Sequence, residues 1–196
     1  QLKGLPAPAT WSDLMQPQWK NKFAITDPSK SGTAYMLVYG LYKQFGQEGL
    51  DKIAANAVVT ASSGTTYKGV AAGEYAVGMT LEYAAQEYVA GGQKEIKLVY
   101  PTEGSYLAPE GMFIIKGAKN LDAAKALYDG LLSKESQEAQ LVKNFRRPTR
   151  SDIAVASLTT LPDFNSIKIF PVSQDAAAKE YEAVVTAWNQ AVAKAK

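Results

Sequence analysis

Cysteine and histidine are both absent from the 196 residues. Without thiols there is no disulfide framework, no thiolate zinc site and no cysteine nucleophile. Without imidazole there is no Ser-His-Asp triad and no histidine-ligated metal. Excess charge is also scarce: 21 Lys+Arg stand against 19 Asp+Glu, a net charge of +2, so no strong basic field favours nucleic acid. The densest basic run, Arg146-Arg147-Pro148-Thr149-Arg150, has no supporting basic helix, and DNA binding is rejected. No apolar run approaches the roughly 20 residues of a spanning helix. What is present is ordinary for a folded chain. Hydrophobic residues make up 46%, enough for a core in one large or two small domains.

Gln1 to Ala9 carry no signal-peptide pattern and read as a loop arriving from elsewhere in a longer protein. Thr10-Trp11-Ser12-Asp13 is a capping-box pattern for a short helix, which Pro17 stops. Lys22–Thr26 predicts a strand ending at the Asp27-Pro28 turn. After Ser31-Gly32-Thr33, Ala34, Leu37, Val38, Leu41 and Phe45 recur at helical spacing, with Gly46 as the helix end. A second short helix runs through Leu50, Ile53 and Ala54. Strands are expected at Ala57–Thr60, Tyr75–Thr80, Ile96–Tyr100 and Gly111–Ile115. Helices are expected from Ser63 to Gly73, from Glu82 to Val89, over Leu121–Leu132 and over Ser133–Phe145. A last helix carries Tyr181, Val184, Val185, Trp188 and Val192, capped by Ser173. Strands alternating with helices at short spacing indicate an α/β architecture, with a boundary near residues 101–110.

Two copies of Ser-Gly-Thr follow strands and open helices, at Ser31, Gly32 and Thr33 and again at Ser63, Gly64 and Thr65. The first turn of a helix has unpaired N–H donors and partial positive charge, so it attracts anions. Gly lets a ligand approach the backbone, and the hydroxyls add donors. Two such starts meeting in one cleft would hold a phosphate, phosphonate or carboxylate without Lys or Arg. The same residues are also ordinary helix caps. Neither copy has the Gly-Lys-Ser/Thr of a nucleotide-hydrolysing loop. Glu82 and Tyr83 follow the strand ending at Thr80, where α/β sheets present ligand contacts. There they could meet an ammonium or hydroxyl, or be a solvated acid beside a half-buried ring.

These segments together resemble a known family. Thr10–Leu14, Asp27–Ala34, Val70–Tyr83, Pro109–Asn120, Leu131–Glu135 and Arg146–Pro148 are similar to bacterial extracytoplasmic solute-binding proteins of ABC importers, in the branch with ferric-iron, hexose-phosphate and aminoethylphosphonate binders. The resemblance implies a periplasmic-binding-protein-like α/β fold of two lobes that close on a ligand. Residues 1–100 would be the second, ligand-binding lobe, and 101–196 a crossover strand with the C-terminal part of the first lobe. The N-terminal half of the first lobe would come from a segment not represented here. The resemblance further implies a non-enzymatic protein without cofactor or catalytic residues, working with a membrane ABC permease. It places the protein in the periplasm or otherwise outside the cytoplasm, with a lipid anchor as one option. By the family pattern the ligand-binding positions are Ser31, Gly32, Thr33, Ser63, Gly64, Thr65, Glu82 and Tyr83, and the ligand a small organophosphate or phosphonate. Iron binders of this branch carry adjacent tyrosines; here Glu82-Tyr83-Ala84 has one tyrosine, so a ferric ion is the alternative ligand. An alternative of another class is a small enzyme acting on a phosphorylated substrate, with Glu82 or Glu95 as general base.

Overall fold

The computed structural model describes Leu2 and residues 4–195; the loop reading at Gln1 and Lys3 lies outside these. Chain contacts divide it into two units, residues 1–108 with 167–196, and residues 109–166.

The first unit is built on a parallel sheet. Four fully buried positions form β1 (Phe23–Thr26), which leads into α1 (Gly32–Asn56) and β2 (Ala57–Thr60). Next come α2 (Ser63–Ala72), β3 (Val77–Gly78) and α3 (Glu82–Ala90). Strand order is β2-β1-β3, with Phe23 opposite both Ala57 and Val77. All three strands run in one direction, so Thr26, Thr60 and Thr80 and the helices that follow them lie at one edge of the sheet. The expected break at Gly46 is real: at φ 64° and ψ −164° it interrupts α1 between two helical stretches. Gly73 ends α2 in the left-handed region, at φ 86°, a conformation a side chain disfavours.

The capping box also forms. Thr10 N–H donates to Asp13 Oδ2 at 2.9 Å, and Asp13 N–H to Thr10 Oγ1 at 3.0 Å. These bonds, with a further one from Ala9 N–H, hold the Asp13 carboxyl below the usual aspartate range, the Ala9 bond contributing most. The turn it opens is 3-10 (Ser12–Met15). Gln16 is extended before Pro17, and a second 3-10 turn, Pro17–Trp19, follows. This segment is tied to a later one: Glu103 accepts from the amides of Trp11 and Ser12 at 2.8 and 3.1 Å, and the Trp11 ring stacks on Tyr106 at 5.3 Å.

Four expectations are corrected. Tyr75–Thr80 forms a ladder only at Val77–Gly78. Ile96–Tyr100 and Gly111–Ile115 form no ladder, because an extended apolar segment is a strand only where a neighbouring strand supplies its hydrogen bonds. Ser173 caps a separate helix, α7, introduced below, rather than the last one. Two short strands were not foreseen, β4 (Ser105–Tyr106) and β5 (Ile169–Phe170), which pair in parallel.

Within the second unit, α4 (Leu121–Leu132) matches its predicted bounds and α5 (Lys134–Asn144) follows, capped by Ser133. After the short α6 (Val155–Leu158), the chain passes through β5 back to the first unit as α7 (Gln174–Lys179) and α8 (Tyr181–Ala195). A cut at residue 100 would leave α8 apart from the sheet lobe. Instead α8 lies along α1: Val184, Ala187, Trp188 and Ala191 are buried in one cluster with Phe23, Val38, Leu41 and Ile53. Polar ties flank that seam, Gln47 Nε2 donating to the Ala187 carbonyl at 3.1 Å and Lys194 pairing with Asp51 at 2.8 Å. Burial pushes the Tyr35 hydroxyl up to about 12 where it donates to the Ala177 carbonyl. The second unit has a much smaller core, Leu141, Ile153 and Leu161. Phe113 is 86% exposed and Ile115 75%, and α4 buries none of its residues despite an apolar stripe.

Candidate functional site

The two Ser-Gly-Thr turns meet. Ser31 caps α1, its Oγ accepting from the Ala34 amide at 3.3 Å. In the second turn the cap is one residue earlier: Ser62 Oγ accepts from the Thr65 amide at 3.2 Å, so Ser63 is the first helical residue of α2. The offset turns the Ser63 side chain toward the other helix start, and Ser31 Oγ and Ser63 Oγ lie 3.0 Å apart. The caps use the third amide of each turn, and the fourth is bonded to the cap carbonyl. The amides of Gly32, Thr33, Ser63 and Gly64 have no acceptor among the described residues. Four N–H donors and two hydroxyls thus share the edge where β1 and β2 end, on half-buried or exposed residues open to solvent. Thr65 is partly engaged, its Oγ1 lying 2.9 Å from Ser62 Oγ, so it supports the cap as well as the open edge.

Beneath this pair is a buried cluster that the sequence reading missed. Thr26, Thr60 and Thr66 are 2%, 6% and 0% exposed. Their hydroxyls form a triangle with sides of 3.2, 2.9 and 2.7 Å, and Thr60 also donates to the Ser62 carbonyl at 3.2 Å. The last residues of two strands are thereby bolted to the first turn of α2. The only sequence signal was threonine at both strand ends. Thr66→Val keeps the shape but breaks the ring, and should cost about 1–3 kcal/mol in denaturant unfolding. Thr66→Ser, which keeps the hydroxyl, should cost less.

Glu82 and Tyr83 open α3 at the same edge of the sheet, after β3. The Tyr100 hydroxyl donates to Glu82 Oε1 at 2.5 Å. Tyr100 is a second group that the sequence did not single out. Glu95 is elsewhere, on the wall of a cavity of about 450 Å³ bounded by β3, α2, α3 and the 95–101 segment. Glu82 and Glu95 therefore have different surroundings, one bonded to a tyrosine and the other at the rim of an apolar space. Among the described residues no group of three or more Asp, Glu, His or Cys could hold a metal ion, and no helix is long and apolar enough to cross a membrane.

Known proteins are similar to this chain in sequence and in fold. A protein of Haemophilus influenzae is 29% identical over 96% of this chain and 56% of its own length. A Salmonella typhimurium protein provisionally named for 2-aminoethylphosphonate binding in the periplasm is 32% identical over 75% of this chain and 47% of its own. The chain thus spans about half the length of the curated relatives it matches. Among solved structures, the periplasmic binding protein AfuA of Actinobacillus pleuropneumoniae, with exogenous fructose-6-phosphate bound, superposes with a TM-score of 0.79 at 28% identity. The match covers 97% of this chain and 63% of AfuA. The fold is therefore periplasmic-binding-protein-like. A family profile described as bacterial extracellular solute-binding protein matches residues 1–171, and with most of the chain inside that match, the protein belongs to this family.

Proposed function

We propose that the chain is the solute-binding component of an ABC importer and captures a small anion of the organophosphate or phosphonate type, without catalysis. The observation that carries this reading is the 3.0 Å approach of Ser31 and Ser63, which sets two helix starts side by side. Each start brings two free amides, and helix N-termini favour negative charge. Ser31, Gly32, Thr33, Ser63, Gly64 and Thr65 would hold the oxyanion. Glu82 and Tyr83, one strand away, would meet a cationic or hydroxyl-bearing part of the same solute. A phosphonate carrying an amine has both ends, as the name of the Salmonella relative suggests.

In this reading the first unit is the second lobe of a two-lobed receptor. Its boundary moves from residue 100 to 108, and residues 167–196 return to it. Residues 109–166 would contribute to the first lobe. The rest of that lobe would be supplied by receptor sequence outside the part matched here, which would cover the exposed Phe113 and Ile115. Closure requires the ligand to touch both lobes, since only differential affinity shifts a conformational equilibrium. The receptor would act outside the cytoplasm and deliver solute to a membrane permease. A lipid anchor in the full-length protein is compatible with that placement.

Isothermal titration with 2-aminoethylphosphonate and fructose 6-phosphate tests the reading: saturable heat with either, and none with neutral fructose, is expected. Heat and a visible absorption band only with ferric citrate would replace it with the ferric-ion alternative. Turnover of a phosphate ester that Glu82→Gln abolishes would replace it with the enzyme.

A further inference from the structure

Thr66 reaches all three strands at the edge that carries the candidate site. Its hydroxyl oxygen lies 2.9 Å from that of Thr26 and 2.7 Å from that of Thr60, the register-paired last residues of β1 and β2. Its methyl lies over β3. A Cβ at Gly78 would stand 3.3 Å from Thr66 Cγ2 and 3.3 Å from the Thr66 carbonyl oxygen, so the bare Cα at 78 lets α2 settle this close to the sheet. The protons of the buried triangle can be followed. Thr60 donates to the Ser62 carbonyl, and a hydroxyl has one proton, so Thr60 is an acceptor toward Thr26 and Thr66. Those two protons are spent inside the triangle, and the cluster is complete without a ligand. The Ser62 carbonyl also accepts from the Thr66 amide at 3.3 Å, which closes the loop on the residue that caps α2.

From Thr26 the chain runs on to Ser31 and α1, and from Thr60 to Ser62 and α2. Thr66 thus ties the first turn of one helix to the strand that leads into the other. We infer that Thr66 is a positioning residue of the anion cradle: it touches no solute, and it sets the height of α2 on the sheet and so the approach of Ser63 to Ser31. This rests on the reading of the two helix starts as the anion site. An oxyanion shared between them must meet the amides of Gly32 and Thr33 and those of Ser63 and Gly64 at hydrogen-bond distance together, a window only about 0.5 Å wide. Binding groups keep such a tolerance when packing and hydrogen bonds behind them fix their place. Thr66→Val keeps the shape and the contact over Gly78 and takes the hydroxyl out of the triangle. Thr66→Ser keeps the hydroxyl and removes the methyl. In the valine variant Thr26 and Thr60 still have each other and the Ser62 carbonyl, so no buried hydroxyl is orphaned and the protein should fold.

Titration calorimetry with 2-aminoethylphosphonate, well below the Tm of every variant, tests it. Thr66→Val should weaken binding about tenfold or more, and Thr66→Ser should bind within about threefold of the parent. Ile53→Val is the control: fully buried and on the part of α1 beyond the break at Gly46, it should lower the Tm and leave the affinity within about twofold. Unchanged affinity in Thr66→Val overturns the inference. An equal loss in Thr66→Ser overturns the hydroxyl tie, and an equal loss in Ile53→Val shows that stability alone sets the affinity. Should the parent bind no phosphonate, the anion reading fails, and the amide NMR spectrum of the free protein decides the role of Thr66. Thr66→Val should then shift Gly32 and Thr33, at the opposite helix start, and Thr66→Ser should leave them in place. Gly32 and Thr33 unmoved in Thr66→Val would show that Thr66 does not hold the two starts together.

Discussion

Ser63→Asp should abolish phosphonate binding while leaving the protein folded. The side chain at 63 starts α2 and lies against Ser31, so a carboxylate there occupies the place proposed for the solute's oxyanion. Two like charges about 4 Å apart repel by about 4 kcal/mol at the effective dielectric of a protein surface, which corresponds to a loss of two to three orders of magnitude in affinity. Aspartate is at the same time favourable in the first turn of a helix, so thermal stability should hold or rise slightly. Ser63→Ala removes only one donor and should weaken binding about fivefold. The contrast between the two, read by titration calorimetry alongside a melting curve, separates an electrostatic cradle from a merely structural cap. Equal, small effects of both would place the solute elsewhere.

Trp188→Ala should produce the largest loss of stability, about 3–5 kcal/mol in denaturant unfolding. Trp188 is 1% exposed and sits in the cluster that joins α8 to α1 and the sheet. Truncation leaves a cavity under the helix whose N-terminus carries Ser31, so solute affinity should fall as well. Leu127→Ala is the control. Leu127 is 64% exposed on α4, and its removal should change stability by no more than about 0.5 kcal/mol. A large effect at Leu127 would mean that its face is already covered in solution.

Much of this fold was legible because local signals and tertiary packing agree. The period of Leu37, Val38 and Leu41, the cap at Ser31 and the break at Gly46 all describe α1 without reference to anything distant. Leu121–Leu132 was read to its ends for the same reason. Strands were less secure, since a strand depends on partners that sequence does not name. Ile96–Tyr100 has the alternation of a strand and the exposure pattern of one, but no ladder forms beside it. β4 and β5 are two residues each, too short to leave a period. At the candidate site, helix-start chemistry singled out Ser31 and Ser63 individually. Their 3.0 Å approach depends on the order β2-β1-β3 and on the one-residue shift of the cap to Ser62. The threonine triangle under them arises from three elements at once, and no local pattern announces it.

The most direct measurement is a backbone amide NMR titration of this chain with 2-aminoethylphosphonate. The account predicts that Gly32, Thr33, Ser63 and Gly64 shift together, along one binding curve and further than other amides, and that Ser63→Asp removes all four shifts. Shifts confined to one of the two helix starts, or centred on another part of the chain, would contradict it.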